Sequence, residues 1–219
     1  METEGTNSGE GANVLPPEAF RRMDETPDEV FYRTPRLVTH IDEEAIGAVT
    51  QLYREYFPAN GAILDLMSSW ISHLPPEVTY GRVAGVGMNL EELIANPRLT
   101  EFVTQNLNTD PRLPFEDDVF DGAGLCVSID YLTDPIAVLR EAGRVLKPGA
   151  PLIITFSNRC FPTKAVAIWH ALDDGGRVAL VHRFLTDTAL FTDIEAFDRS
   201  PRQGRSDPLY AVIGRKQKT

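Results

Sequence analysis

Short apolar runs separated by amphipathic stretches set the rhythm of this chain. Residues 62–66 (AILDL), 82–86 (RVAGV), 120–127 and 151–156 (PLIITF) carry hydrophobic side chains without helical spacing. Such runs suit strands covered on both faces of a parallel sheet. Between the last two runs, Ile136, Leu139, Ala142, Val145 and Leu146 recur at helical spacing. Asp134 supplies an N-cap, Pro135 fits the first turn, Lys147 complements the C-terminal dipole, and Gly149 acts as a stop. The unit reads as strand, helix, strand, closed by a right-handed crossover.

The same alternation extends in both directions. Asp42 opens a helix with Ile46, Val49, Leu52, Tyr53 and Tyr56 on its apolar stripe, and Pro58 ends it. Each of the first two strands is followed by a polar turn and a helix-like segment; in the second case Asn89 caps Leu90, Leu93 and Ile94. A brief third strand is expected at 102–105. Downstream, 162–172 and 177–190 read as helices, and 194–197 with 209–214 as a final antiparallel pair joined by the turn-rich SPRQGRSDP. The fold class is therefore α/β, with a mostly parallel sheet.

Composition narrows the organisation. With 219 residues, 42% of them hydrophobic, the chain can bury one sizeable core. Residues 1–28 are rich in Gly, Glu, Asn and Pro and are expected to form a flexible arm, leaving 29–219 as a single domain. The net charge of −11 argues against broad nucleic-acid binding, which needs a basic surface. The arm is too acidic for a transit peptide and lacks the apolar core of a signal peptide, and no segment approaches a membrane span. Cys126 and Cys160 are expected to be reduced in a cytoplasmic protein, and no Cys/His spacing suggests a metal site.

The motifs LPFEDDVFD before the fourth strand and LREAGRVLKPG before the fifth resemble class I S-adenosylmethionine-dependent methyltransferases. The resemblance covers roughly 42–215. It implies a Rossmann-like three-layer sandwich with sheet order 3-2-1-4-5-7-6 and an antiparallel last strand, S-adenosyl-L-methionine as cofactor, and a ligand at the carboxyl edge of the first strands. It also implies a glycine-rich turn, DxGxGxG, after the first strand. Here the turn reads Asp65, Leu66, Met67, Ser68, Ser69, Trp70, Ile71, and every expected glycine is missing. Ser68 and Ser69 can either hydrogen-bond the cofactor's amino-acid carboxylate or cap a helix.

At the end of the second strand the family places an acid that binds the ribose hydroxyls. This chain has Gly87, Met88 and Asn89, where Asn89 can bind ribose or cap the next helix. Asn106 and Leu107 fall at the adenine side, and Ser128 joins them after the fourth strand. In the loop SIDYLTDP, Asp130 and Tyr131 face the expected methyl position; Asp130 can take a proton or cap a turn, and Tyr131 can orient an acceptor or pack over the cofactor. After the fifth strand, Asn158, Arg159 and Lys164 can bind an anionic acceptor, with Phe161 and Trp169 as an apolar wall. His40, His73, His170 and His182 share no spacing and read as structural. The expected activity is methyl transfer to a small organic acceptor. The alternatives are a non-catalytic binding protein on the same fold and, less favoured without a GxGxxG turn, a nicotinamide-dependent oxidoreductase.

Overall fold

The computed structural model describes residues 15–218. A seven-stranded sheet runs in the order β3-β2-β1-β4-β5-β7-β6, built from β1 (Ala62–Leu66), β2 (Arg82–Gly87), β3 (Glu101–Thr104), β4 (Gly122–Cys126), β5 (Pro151–Phe156), β6 (Phe191–Asp198) and β7 (Tyr210–Lys216). The first five pair in parallel, and β7 inserts antiparallel between β5 and β6. This is the expected order, including the antiparallel final strand.

Six α-helices occur among the described residues: α1 (Asp28–Phe31), α2 (Glu43–Tyr56), α3 (Leu90–Ala95), α4 (Pro135–Val145), α5 (Ala167–Ala171) and α6 (Asp174–Thr188). Three predicted caps form. Asp42 accepts from the Ala45 amide, Asn89 from Glu92 and Asp134 from Ala137. One side of the sheet packs Val138, Leu139, Ala142, Val181 and Phe184 from α4 and α6; the other packs Val49, Leu52 and Tyr53 from α2. Every residue of β5 is buried, as its unbroken apolar run requires.

Two expectations are corrected. No helix follows β1: residues 67–81 run as irregular chain into β2. Pro75 and Pro76 stand in the middle of this stretch, removing amide donors and pushing the preceding residue out of the helical region. The helix expected at 162–172 shrinks to α5 because 162–165 forms a turn and Val166 is extended and bridged to Arg22.

The expected flexible arm is the third difference. Its residues before Leu15 lie outside the described residues, but 15–28 docks on the body. Arg22 bridges to Val166, the Asp24 amide donates to the Thr163 carbonyl, and Phe20 packs against the core. Lys164 explains the docking: its side chain is wholly buried, and Nζ donates to the carbonyls of Thr26 at 2.6 Å and Asp24 at 3.1 Å, with the Asp28 carboxylate at 3.3 Å. Arg22 grips the same carboxylate with contacts of 2.7 and 2.9 Å. Burial would raise the Asp28 pKa, but hydrogen bonds from Asn108, Arg22 and Lys164 outweigh it and hold the carboxyl below its ordinary value.

Candidate functional site

The carboxyl ends of β1, β2 and β4 open into a cavity of about 590 Å³, inside the range of small-molecule and cofactor sites. Its floor is the loop after β1 together with Gly87, Met88 and Leu107. Its far wall is formed by Ser128, Tyr131, Asn158 and Phe161. Residues 28–41 cross it as a strap, contributing Tyr32, Arg36 and His40 to the lining.

The missing glycines leave a geometric trace. Met67, at the position of the first expected glycine, takes φ +52°, the left-handed conformation that glycine adopts freely. His73 and Val127, also lining the cavity, have φ +52° and +43°. Left-handed backbone at non-glycine residues costs roughly 1–2 kcal/mol each, and such strain concentrates at functional sites. A glycine does stand where the family places an acid, Gly87 at the end of β2. A Cβ there would lie 2.2 Å from the Ser68 carbonyl oxygen, so only glycine lets β2 pass beneath the loop. Gly87→Ala is expected to cost about 1–3 kcal/mol through this overpacking, measurable as a lowered denaturant midpoint at unchanged slope.

The polar side chains expected to hold cofactor are mostly engaged within the protein. Ser68 Oγ donates to Asp65 at 2.6 Å, as does Ser72. Burial pushes the Asp65 carboxyl up to about 6 against the lowering effect of these two hydroxyls. Ser69 is neither a helix cap nor free, because its hydroxyl donates to Glu92 at 2.7 Å. Asn89 spends its oxygen on the α3 cap and its amide on the carbonyls of Tyr32 and Arg33. Asn106 donates to Glu29 and accepts from the Asn108 amide, while Ser128 donates to the Cys126 carbonyl. Of the two alternatives for Asn89 the helix cap is the one formed, and Asn106, the adenine-side candidate, also has its side chain engaged; both tie neighbouring backbone and the α1 region in place. Asp65, Met67, Ser68, Ser69, Gly87, Met88, Asn89, Asn106, Leu107 and Ser128 all line the cavity, with Gly87, Met88 and Leu107 forming an apolar slot.

On the acceptor side the loops after β4 and β5 meet, since the Phe161 amide donates to Tyr131 Oη at 2.8 Å and their rings lie 5.8 Å apart. Burial, reinforced by the nearby Asp130 charge, raises the Tyr131 phenol far above its ordinary value, so it stays protonated. Asp130 is not among the cavity-lining residues. It is 3% exposed, Oδ2 has no partner, and burial pushes its carboxyl up to about 7. The role expected for it as an acceptor-facing base is corrected: the short 3-10 turn Ile129–Tyr131 aims Tyr131 at the cavity and Asp130 behind it. Arg159 is 63% exposed and ion-paired to Asp207 at 2.9 Å, so its charge is already answered at the rim. Lys164 serves the strap, and Trp169 lies in the core.

Sequence reasoning missed many lining residues, among them Tyr32, Arg36, His73 and Glu92. Glu92 accepts from the Arg36 amide and from Ser69, joining strap, loop and α3. Burial depresses His73 to about 4, helped by the charge of His40, so His73 is a neutral imidazole on the cavity wall. The nearness of His40 and His73 arises from tertiary structure alone, since they stand 33 positions apart.

Comparison with known proteins agrees with this geometry. Residues 69–154 match the family model of a methyltransferase domain. That match runs from the loop after β1 into β5 and includes the crossover helix α4, less than half of the chain. A stretch of 56 residues is 43% identical to demethylmenaquinone methyltransferase of Mycolicibacterium paratuberculosis, spanning 24% of this chain and 24% of that protein. Among solved structures, the chain resembles one from the complex of the Haloferax volcanii Trm112 methyltransferase activator with a methyltransferase (TM-score 0.61, 15% identity, 81% of this chain and 92% of that one). It also resembles the [4+2]-cyclase SpnF (0.56, 16%, 78% and 81%) and Haemonchus contortus phosphoethanolamine N-methyltransferase 2 in complex with S-adenosyl-L-methionine (0.57, 14%, 78% and 52%). At these identities the structural likeness establishes the fold.

Proposed function

We propose that the chain binds S-adenosyl-L-methionine in this cavity and transfers its methyl group to a small organic acceptor. The observation that carries the reading is the position of the cavity, at the carboxyl edge of β1, β2 and β4 in a methyltransferase sheet, over a glycine that no side chain can replace. The lining fits the cofactor in kind. Gly87, Met88 and Leu107 offer the adenosine an apolar slot, and the left-handed loop at Met67 brings backbone close to it.

When bound, the cofactor supplies an electrophilic methyl group on sulfonium sulfur. The protein's part is positioning and exclusion of water. Tyr131 and Phe161 supply a wall on which a flat acceptor can rest, and their mutual hydrogen bond fixes its angle. The strap closes the opposite side. Asp130 takes no proton from the acceptor, so the reaction suits an acceptor that ionises readily or is nucleophilic without a base. No helix of the described residues is long and apolar enough to cross a membrane.

A second reading rests on one specific observation: the side chains of Asn89 and Asn106 are engaged within the protein, which favours a binding protein that retains the fold without turnover. Incubation with methyl-labelled S-adenosyl-L-methionine and a panel of phenols, quinols, amines and carboxylic acids separates the two. Label in an acceptor supports transfer; cofactor binding without label in any acceptor supports the second reading.

A further inference from the structure

Arg36 carries a charge that this cavity leaves unanswered. Its guanidinium sits 4.5 Å from the Phe31 ring centroid, 5.2 Å from Phe161 and 5.7 Å from Tyr32. Nη2 donates to the Phe31 carbonyl at 2.9 Å, which fixes the plane of the fork. Nη1 is buried and has no hydrogen-bond partner. Among the described residues no carboxylate lies within ion-pair distance of Arg36; Glu92 accepts only its backbone amide. A buried guanidinium N–H without an acceptor is costly, and a cation held rigidly in a ligand cavity without an anion is complete only when a ligand supplies one.

The surroundings indicate which end of the cavity that ligand occupies. Phe161 belongs to the loop after β5 and meets Tyr131 from the loop after β4, the acceptor side on the reading above. Phe31, Tyr32 and His40 turn their edges on the same Phe161 ring, at 5.4, 6.4 and 5.2 Å between centroids. Aromatic surface on several sides with one fixed, planar guanidinium, of which Nη1 is unpartnered, suits a flat ring bearing an oxyanion, because a guanidinium N–H makes a strong charge-assisted hydrogen bond to carboxylate. His40 adds no competing positive charge: burial lowers its pKa, with the Arg36 charge acting in the same direction against Glu92.

We propose that Arg36 is a specificity-determining residue that binds the carboxylate or comparable oxyanion of an aromatic acceptor, and that the strap thereby joins acceptor recognition to closure of the site. The assignment of this anion to the acceptor rests on the methyltransferase reading. The cofactor's amino-acid carboxylate is the other source of the same chemistry.

Calorimetric titration of the full chain with benzoate and 4-hydroxybenzoate against neutral benzamide, with and without S-adenosylhomocysteine, tests it. The wild type should bind the acids at least tenfold more tightly than benzamide. Arg36→Gln should erase that preference while keeping S-adenosylhomocysteine affinity within about twofold, and Arg36→Lys should recover part of it. Thermal unfolding of each variant confirms folding. Equal affinity for acid and amide in the wild type overturns the proposal. So does a tenfold loss of S-adenosylhomocysteine affinity in Arg36→Gln with methylthioadenosine, which lacks the carboxylate, unaffected; that result assigns the anion to the cofactor. Failure of S-adenosylhomocysteine to bind the wild type would count against the methyltransferase reading, while acid-over-amide preference without it would still report on Arg36.

Discussion

Lys164→Met should lower the melting temperature by roughly 4–12 °C, the equivalent of about 2–3 kcal/mol in a domain of this size. The ammonium is wholly buried and satisfies two backbone carbonyls and the Asp28 carboxylate. Methionine fills a similar volume but leaves those acceptors without their donor. Arg22 still pairs with Asp28, which places the loss below that of a fully orphaned charge. Because this network anchors the strap, the variant should also be cut faster by trypsin at Arg33, an exposed site just beyond α1. Differential scanning calorimetry and limited proteolysis read the two effects. A shift below about 2 °C would mean that the segment is held by its apolar contacts instead.

Asp130→Asn should have the opposite sign and a pH signature. The buried carboxyl titrates at about 7 in the folded chain, against an ordinary value of 3.8. Between these values the unfolded chain has released its proton and the folded chain has not, so folding stability falls as pH rises through this window. Below pH 3.8 the effect vanishes; above 7 it is complete. Asparagine has no proton to lose, so the variant should gain stability over the wild type by on the order of 2 kcal/mol more at pH 8 than at pH 5. Urea denaturation at the two pH values measures it. A variant destabilised equally at both would show that the ionised carboxylate is held by partners. Asp65, raised to about 6, contributes in the same direction and is common to both proteins.

These outcomes bear on how much the sequence discloses. The strands and the helix caps follow from local pattern, and the sheet order from the family resemblance. Asp42, Asn89 and Asp134 announce helix starts because their acceptors reach amides only three positions away, and the unbroken apolar run of β5 announces a central strand. The site is different in kind. Asn89 reads equally as a cap or a ribose ligand until Tyr32 and Arg33, 57 and 56 positions earlier, are seen to take its amide. Arg36 and His40 carry no motif, since their roles arise only when the strap crosses the sheet edge. The apparently unstructured first 28 residues conceal an anchor because the partner of Asp24, Thr26 and Asp28 is a lysine 136 or more positions away. Asp130 and Tyr131 are neighbours in sequence, and only the tight turn that holds them shows that one faces the cavity and the other does not.

The central claim is that the cavity at the ends of β1, β2 and β4 holds S-adenosyl-L-methionine despite the loss of every glycine in the loop after β1. Isothermal titration of the full chain with S-adenosylhomocysteine, with NAD as the comparison ligand, tests it most directly. The predicted result is a saturable single-site heat with a Kd of about 10 μM to 1 mM, about −7 to −4 kcal/mol, weakened because no free acid meets the ribose, and no heat with NAD. Absence of heat with S-adenosylhomocysteine at millimolar concentration, or saturable binding of NAD in its place, would contradict it.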